Sequence, residues 1–419
     1  MSAIPRGRRA LRNCILFAAG ICLLASTGCG GGSGSSAGAS GISTGTGTTG
    51  TTPSTVNNTL PLQVGLGPTG NDVNQLLATI TICISGTSNC QSIPNVLVDT
   101  GSTGLRLLAS AVTLALPQVS DSSGNPLGNC AQFSDNSYAW GPVATADIQL
   151  AGEIASKAPI QLIGATGFPA VPASCNTGGV AANTVAELGA YGILGIGVFP
   201  QDCGSPCASS GSELPTVYYG CPSSGCVPVA VAVAQQLQNP VVMFPQDNNG
   251  TVISLPALSP SGGQGIAGSL IFGIGTQSNN ALSGVQVYTT DSNGNFSVTY
   301  NGVNYSNSFV DSGSNGFFYL DSTTLGIPTC PDSPDFYCPV ATVNATAITT
   351  GTNGTSSTIA ITVANADQLF ATSNNAFDDL GGPGPGQIDL GLPFFFGRYV
   401  YTAIQGQSTT GGTGPYWAY

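Results

Sequence analysis

The chain contains no histidine. That absence removes the Ser-His-Asp triad, the Cys-His pair and every zinc site built on imidazole. It leaves carboxylates as the main groups able to carry general acid–base chemistry. Charge is nearly as scarce: Asp, Glu, Lys and Arg make up 6% of the 419 residues, with 7 basic against 19 acidic. So few cations cannot assemble the basic surface that phosphate binding needs, which excludes nucleic acid as a partner. A long apolar run is also missing at the amino terminus, where the stretch from Ile15 to Ala25 is too short to span a bilayer.

What is present favours strands. Hydrophobic residues make up 41% of the chain, enough to fill two cores at this length. Glycine, serine, threonine and asparagine are abundant, which favours short strands joined by tight turns over long, surface-charged helices. The expected class is all-β with few short helices. The best helix candidate is Val229 to Leu237, whose apolar run stops before Asn239-Pro240.

The amino terminus reads as an export signal. Arg6, Arg8, Arg9 and Arg12 precede the apolar run, and small residues follow it up to Gly28-Cys29. Ser26-Thr27-Gly28-Cys29 resembles the lipobox of bacterial lipoproteins, in which the cysteine is lipidated and becomes the first mature residue; Ser26 stands where leucine is commoner. The segment from Gly30 to about Thr55 is almost purely Gly, Ser, Thr and Ala, the composition of a flexible tether. The expected organisation is a signal over 1–29, a linker over 30–57 and two lobes over 58–240 and 241–419. Processing removes four arginines, leaving Arg106, Lys157 and Arg398 against 19 acids, a net charge of 3 − 19 = −16. The protein is expected in the cell envelope, held to a membrane by a lipid on Cys29, and to act as a monomer.

Beyond Cys14, Cys22 and Cys29, ten cysteines remain, an even number that in an exported chain reads as five disulfides. Short loops favour Cys83–Cys90 and Cys330–Cys338, with Cys130–Cys175 next. Pairing among Cys203, Cys207, Cys221 and Cys226 stays open, and a zinc site from those four is the competing reading.

The strongest signal is an internal repeat. Asn95-Val96-Leu97-Val98 leads into Asp99-Thr100-Gly101-Ser102, and Asn307-Ser308-Phe309-Val310 leads into Asp311-Ser312-Gly313-Ser314. In both copies an apolar strand delivers an acid to a glycine-containing turn, and a second apolar stretch leaves, Leu105 to Leu108 and Phe317 to Leu320. One such turn alone is a common Asx turn between strands. Two in matching contexts point to paired carboxylates, one ionised to activate a water and one protonated to polarise a carbonyl. In this scheme Thr100 and Ser312 brace the two turns against each other, while Ser102 and Ser314 hydrogen-bond the outer carboxylate oxygens. A calcium loop fits less well, since neither copy carries further acids at regular spacing. No metal or organic cofactor is called for.

With these segments the chain resembles the pepsin family of aspartic peptidases, in order from about residue 60 to 405. Val96 to Leu105 is similar to the first active-site segment, and Tyr191-Gly192-Ile193-Leu194-Gly195 to the apolar-glycine strand behind it. Gly268 to Gly273 resembles a strand early in the second lobe. Ser308 to Ser314 resembles the second active-site segment, and Asp389-Leu390-Gly391-Leu392 its closing apolar-glycine strand. The resemblance implies a two-lobed β-barrel fold with a cleft between the lobes, Asp99 and Asp311 as the catalytic pair, and a polypeptide as substrate. It places a flap at about Ser134 to Leu150, with Tyr138 or Trp140 as its aromatic. Two departures stand out: Arg106 where the family usually has tryptophan, and Leu392 where an aspartate is common. The uncharged linker supplies no basic pro-segment. The chain is also similar to proteobacterial envelope proteins of a family of unknown function. The two functional expectations are therefore an aspartic endopeptidase, or an inactive protein of the same fold that binds a peptide, glycan or envelope partner. A purely structural lipoprotein leaves the repeated acid turns unexplained.

Overall fold

The computed structural model describes residues 57–176, 178–209 and 214–419. The signal, Cys29 and nearly all of the linker lie outside the described residues. The expected all-β class is what the chain adopts: among the described residues are 24 strands, and the longest of the four α-helices, Ala366–Phe370, has 5 residues. No helix among them is long and apolar enough to cross a membrane.

Strand character follows from alternation. Thr59–Gly65 and Ser356–Val363 alternate buried and outward residues, as half-buried strands do. Val96 to Asp99 and Phe309 to Val310 are buried at every position, because other strands and core cover both faces. The sheets comprise fifteen, seven and two strands. The largest joins the two halves of the sequence: Thr59–Gly65 pairs with Gln75–Cys83 on one side and with Ile266–Phe272 on the other.

The sequence repeat is also a topological repeat. Cys90–Asp99 runs parallel to Gly192–Ile196, with Val98 opposite Leu194 and Asp99 opposite Gly195, and Thr103–Leu108 pairs antiparallel with that same strand. In the second half Val303–Val310 runs parallel to Gly384–Leu390, with Val310 opposite Leu390, and Phe317–Leu320 pairs antiparallel with it. Each acid thus sits at the end of one strand, with a third strand threaded between the strands that enter and leave its turn.

A strap crosses between the halves next to the second turn. Asn74, held at φ 55°, donates its backbone N–H to Asn375 O at 2.9 Å and its side-chain amide to Asn315 O and Phe377 O at 2.8 Å each. Its Oδ1 accepts from the Phe377 N–H at 2.8 Å. The preceding Val73 is fully buried among Phe318, Phe336, Phe377 and Leu380.

All three favoured disulfides form, Cys83–Cys90, Cys130–Cys175 and Cys330–Cys338. The open set resolves into Cys203–Cys207 and Cys221–Cys226. Its sulfurs are bonded to each other, so the competing zinc site does not form. Five disulfides belong to an oxidising compartment, as an exported protein requires.

The helix expected over Val229 to Leu237 is absent. Only Val233–Gln235 forms a single 3-10 turn. The Val231 N–H is taken by Cys207 O, and the Gln236 amide donates to Gly204 O and Val231 O. Tertiary bonds thus satisfy groups that a helix would have satisfied internally, and β-branched Val229, Val231 and Val233 offer little propensity against them.

Candidate active site

The two acid turns interlock. The Thr100 N–H donates to Ser312 Oγ at 3.1 Å, and the Ser312 N–H donates to Thr100 Oγ1 at 2.9 Å. Each hydroxyl then crosses to the opposite strand, Ser312 Oγ to Val98 O at 2.8 Å and Thr100 Oγ1 to Val310 O at 3.3 Å. These four bonds tie the two turns to each other. They fix the two acids in a fully or almost fully buried setting.

Within each turn the geometry repeats. The Gly101 N–H donates to Asp99 Oδ1 at 2.7 Å, and the Gly313 N–H to Asp311 Oδ1 at 2.8 Å. Ser102 Oγ donates to Asp99 Oδ2, and Ser314 Oγ lies 2.9 Å from Asp311 Oδ2. A Cβ at Gly101 would stand 2.6 Å from the Asp311 carboxyl carbon, and one at Gly313 would stand 2.6 Å from Asp99 Oδ1. Here glycine is required by the opposing acid and not by a left-handed backbone.

The two carboxyls face each other across the turns, each standing where a Cβ on the opposite turn's glycine would fall. Both acids have 0% exposure. Burial, and after it the like charge of Asp311, hold Asp99 well above the ordinary carboxylate range, while the Ser102 and Gly101 donors oppose the rise. Two carboxyls this close disfavour ionising together.

Arg106, the departure from the resembled pattern, is fully buried in an ion pair. Its Nη2 lies 3.1 Å from Asp202 Oδ2, and its Nη1 donates to Asn129 Oδ1 at 2.5 Å and to Gln161 Oε1 at 2.8 Å. Asp202 also accepts from Tyr218 Oη at 2.6 Å and from Asn129 Nδ2 at 3.1 Å. Burial pushes the Asp202 carboxyl up, opposed by Arg106 and the two neutral donors. Three donors converge on its two oxygens, so the ionised form is the one this site accommodates. Arg106 thus holds together four chain segments of the first half, through Asn129, Gln161, Asp202 and Tyr218.

Tyr138 and Trp140 lie on Tyr138–Leu150, the return strand of a hairpin whose turn covers residues 133–137. Neither ring stands at the tip. Both are buried in a cluster with Cys130, Cys175 and Tyr219, and Trp140 Nε1 donates to Pro169 O at 2.9 Å. Leu392 is fully buried at the start of the 3-10 turn Leu392–Phe395.

A further acid, outside both turn motifs, stands beside the pair. Asp389 is fully buried, and its Oδ2 lies 2.6 Å from Ser314 Oγ. The readable signal was a break in the repeat: Ile193-Leu194-Gly195 in the first copy becomes Asp389-Leu390-Gly391 in the second. Asp202 gave no comparable signal, because nothing in the sequence ties it to Arg106, 96 residues away.

The family described as "Protein of unknown function (DUF3443)" matches residues 54–419, and the chain belongs to it. Among solved structures, the chain is similar to the aspartic proteinase from Irpex lacteus. Identity is 14% over 86% of this chain and 96% of that one, with a TM-score of 0.46. Comparison with curated proteins finds no match.

Proposed function

We propose that the protein is an aspartic endopeptidase of the cell envelope, with Asp99 and Asp311 as its catalytic pair. The observation that carries this reading is the interlocked pair of acid turns, which sets two fully buried carboxyls against each other. A structural role gives no reason to collect two acids in a dry interior, where their charges are costly.

In the proposed reaction Asp99 holds the shared proton and Asp311 is ionised. A water between them adds to the peptide carbonyl carbon, giving one proton to Asp311 while Asp99 protonates the carbonyl oxygen. The gem-diol then collapses: its hydroxyl returns a proton to Asp99, and Asp311 passes its proton to the leaving amine nitrogen. The pair ends as it began. Because the acids are closed from bulk solvent, the reaction needs an opening step that admits the polypeptide. An acidic optimum is expected, since loss of the shared proton removes the acid. The test is cleavage of an unfolded protein from about pH 3 to about pH 7, with and without a statine-type inhibitor. Acid-favoured, inhibitor-sensitive cleavage supports the reading; a disulfide-intact domain that cleaves nothing at any of these pH values refutes it.

That same closure favours a second reading. A protein that keeps this scaffold to bind a peptide, glycan or envelope partner has no need to expose the acids, and full burial of both suits it.

In either case the folded part is proposed to be tethered to a membrane through lipidated Cys29, supported by the arginine-rich leader, Gly28-Cys29 and the uncharged linker. Cys29→Ala is expected to move the protein from the membrane pellet to the soluble envelope fraction. Equal retention of wild type and variant in the pellet would remove the lipid anchor.

A further inference from the structure

Ser314 sits between two acids. Its Oγ lies 2.9 Å from Asp311 Oδ2 and 2.6 Å from Asp389 Oδ2, and all three residues are fully buried. A hydroxyl has one proton and cannot donate to two carboxylates at once. If Asp389 were ionised, the shorter contact would draw the Ser314 proton away from Asp311 and leave that oxygen facing a lone pair. If Asp389 is the neutral acid, its O–H donates to Ser314 Oγ, and the Ser314 proton goes to Asp311 Oδ2. Both contacts are then hydrogen bonds.

The surroundings favour the neutral form. Asp389 lies on Gly384–Leu390, opposite Phe309 on one flanking strand and Phe318 on the other. The acid linked to it through Ser314 is Asp311, with Asp99 beyond. A further negative charge in this apolar, already acidic site is strongly disfavoured. The first half has no counterpart: the register-equivalent position is Ile193, and Ser102 serves Asp99. The pair is therefore built unequally.

We propose that Asp389, kept as the neutral acid, is a positioning residue that turns the Ser314 hydroxyl onto Asp311 and thereby makes Asp311 the ionised member of the pair. The catalytic consequence rests on the peptidase reading above; the protonation of Asp389 does not. A chain Asp389 O–H to Ser314 O–H to Asp311 carboxylate supplies charge stabilisation to one acid only, so the shared proton resides on Asp99.

The test has two arms on the processed, disulfide-intact protein. The first is infrared spectroscopy near neutral pH with isotope-labelled aspartate carboxyls, comparing wild type with Asp389→Asn. A protonated-carboxyl carbonyl band present in wild type and lost in the variant is expected. An unchanged spectrum in that region overturns the proposal whether or not the protein cleaves peptides. The second arm is kinetic. Asp389→Ala is expected to lower kcat about 10- to 100-fold with KM little changed, as loss of a hydrogen bond to a charged group implies. Asp389→Asn, whose amide can still donate to Ser314, is expected to recover most of that loss. Equal losses in the two variants overturn the proposal. If the band behaves as expected while wild type cleaves nothing, the peptidase reading falls and the neutral Asp389 stands.

Discussion

Asp99→Asn and Asp311→Asn are each expected to lower peptide cleavage by about 10⁴-fold or more while leaving the fold intact, because the two acids act as a unit and neither works alone. Asparagine keeps the size of the side chain and its carbonyl oxygen, so the Gly101 N–H and the Ser102 hydroxyl retain a partner at position 99. The same substitution changes stability in a sense opposite to an ordinary loss of contacts. Asp99 is held above its usual range, so the folded protein binds a proton there more tightly than the unfolded chain does. Stability from this group is therefore greatest at acid pH and falls as pH rises from the ordinary carboxylate range towards the elevated folded value. Asp99→Asn removes that slope. Its melting temperature is expected to exceed that of wild type at neutral pH and to converge with it in acid. A variant that melts lower than wild type at neutral pH would contradict a destabilising, proton-sharing pair. Thermal melts in a series of buffers make this comparison without any substrate.

The second large effect concerns Arg106. Removing one member of a buried ion pair leaves the other charge uncompensated, at a cost of about 3–5 kcal/mol. Arg106→Met is expected to destabilise by that amount, since it strands Asp202 and leaves Asn129 and Gln161 oxygens without their donor. Arg106→Met combined with Asp202→Leu is expected to recover a large part of the loss, because an apolar pair of similar volume carries no desolvation penalty. Urea unfolding of the single and double variants measures the coupling directly. Additive losses would show that Arg106 and Asp202 do not depend on each other.

The legible parts of this protein were those encoded by local pattern. The two acid turns were readable because each carries its own strand, glycine and hydroxyl, and because the second copy confirms the first. The hydroxyl roles of Ser102 and Ser314 followed from their position three residues after each acid. Short disulfide loops were readable by chain proximity; Cys203–Cys207 and Cys221–Cys226 stayed open because four cysteines within 24 residues offer several short closures. What was not legible depends on distant contacts. Val229 to Leu237 looked helical until Gly204 and Cys207 claimed its polar groups. Tyr138 and Trp140 lie in a hairpin as expected, yet the segment fastened by Cys130–Cys175 turns both rings inward. Arg106 stands out in the sequence only as a departure from the resembled pattern, whereas Asp202 makes it the centre of a polar core. Asp389 lies inside an apolar-glycine strand motif, and its partner Ser314 is 75 residues away in sequence.

The central claim is that Asp99 and Asp311 form one proton-sharing centre able to hold a tetrahedral carbon. The most direct test is titration calorimetry of a statine-type peptide, whose hydroxyl stands where the attacking water and carbonyl oxygen meet. Wild type is expected to bind one equivalent, and Asp99→Asn and Asp311→Asn are each expected to weaken binding by about 100-fold or more, the loss of charge-assisted hydrogen bonds in a dry site. Binding of equal strength in wild type and both variants, or no binding to a wild type with all five disulfides intact, would contradict it.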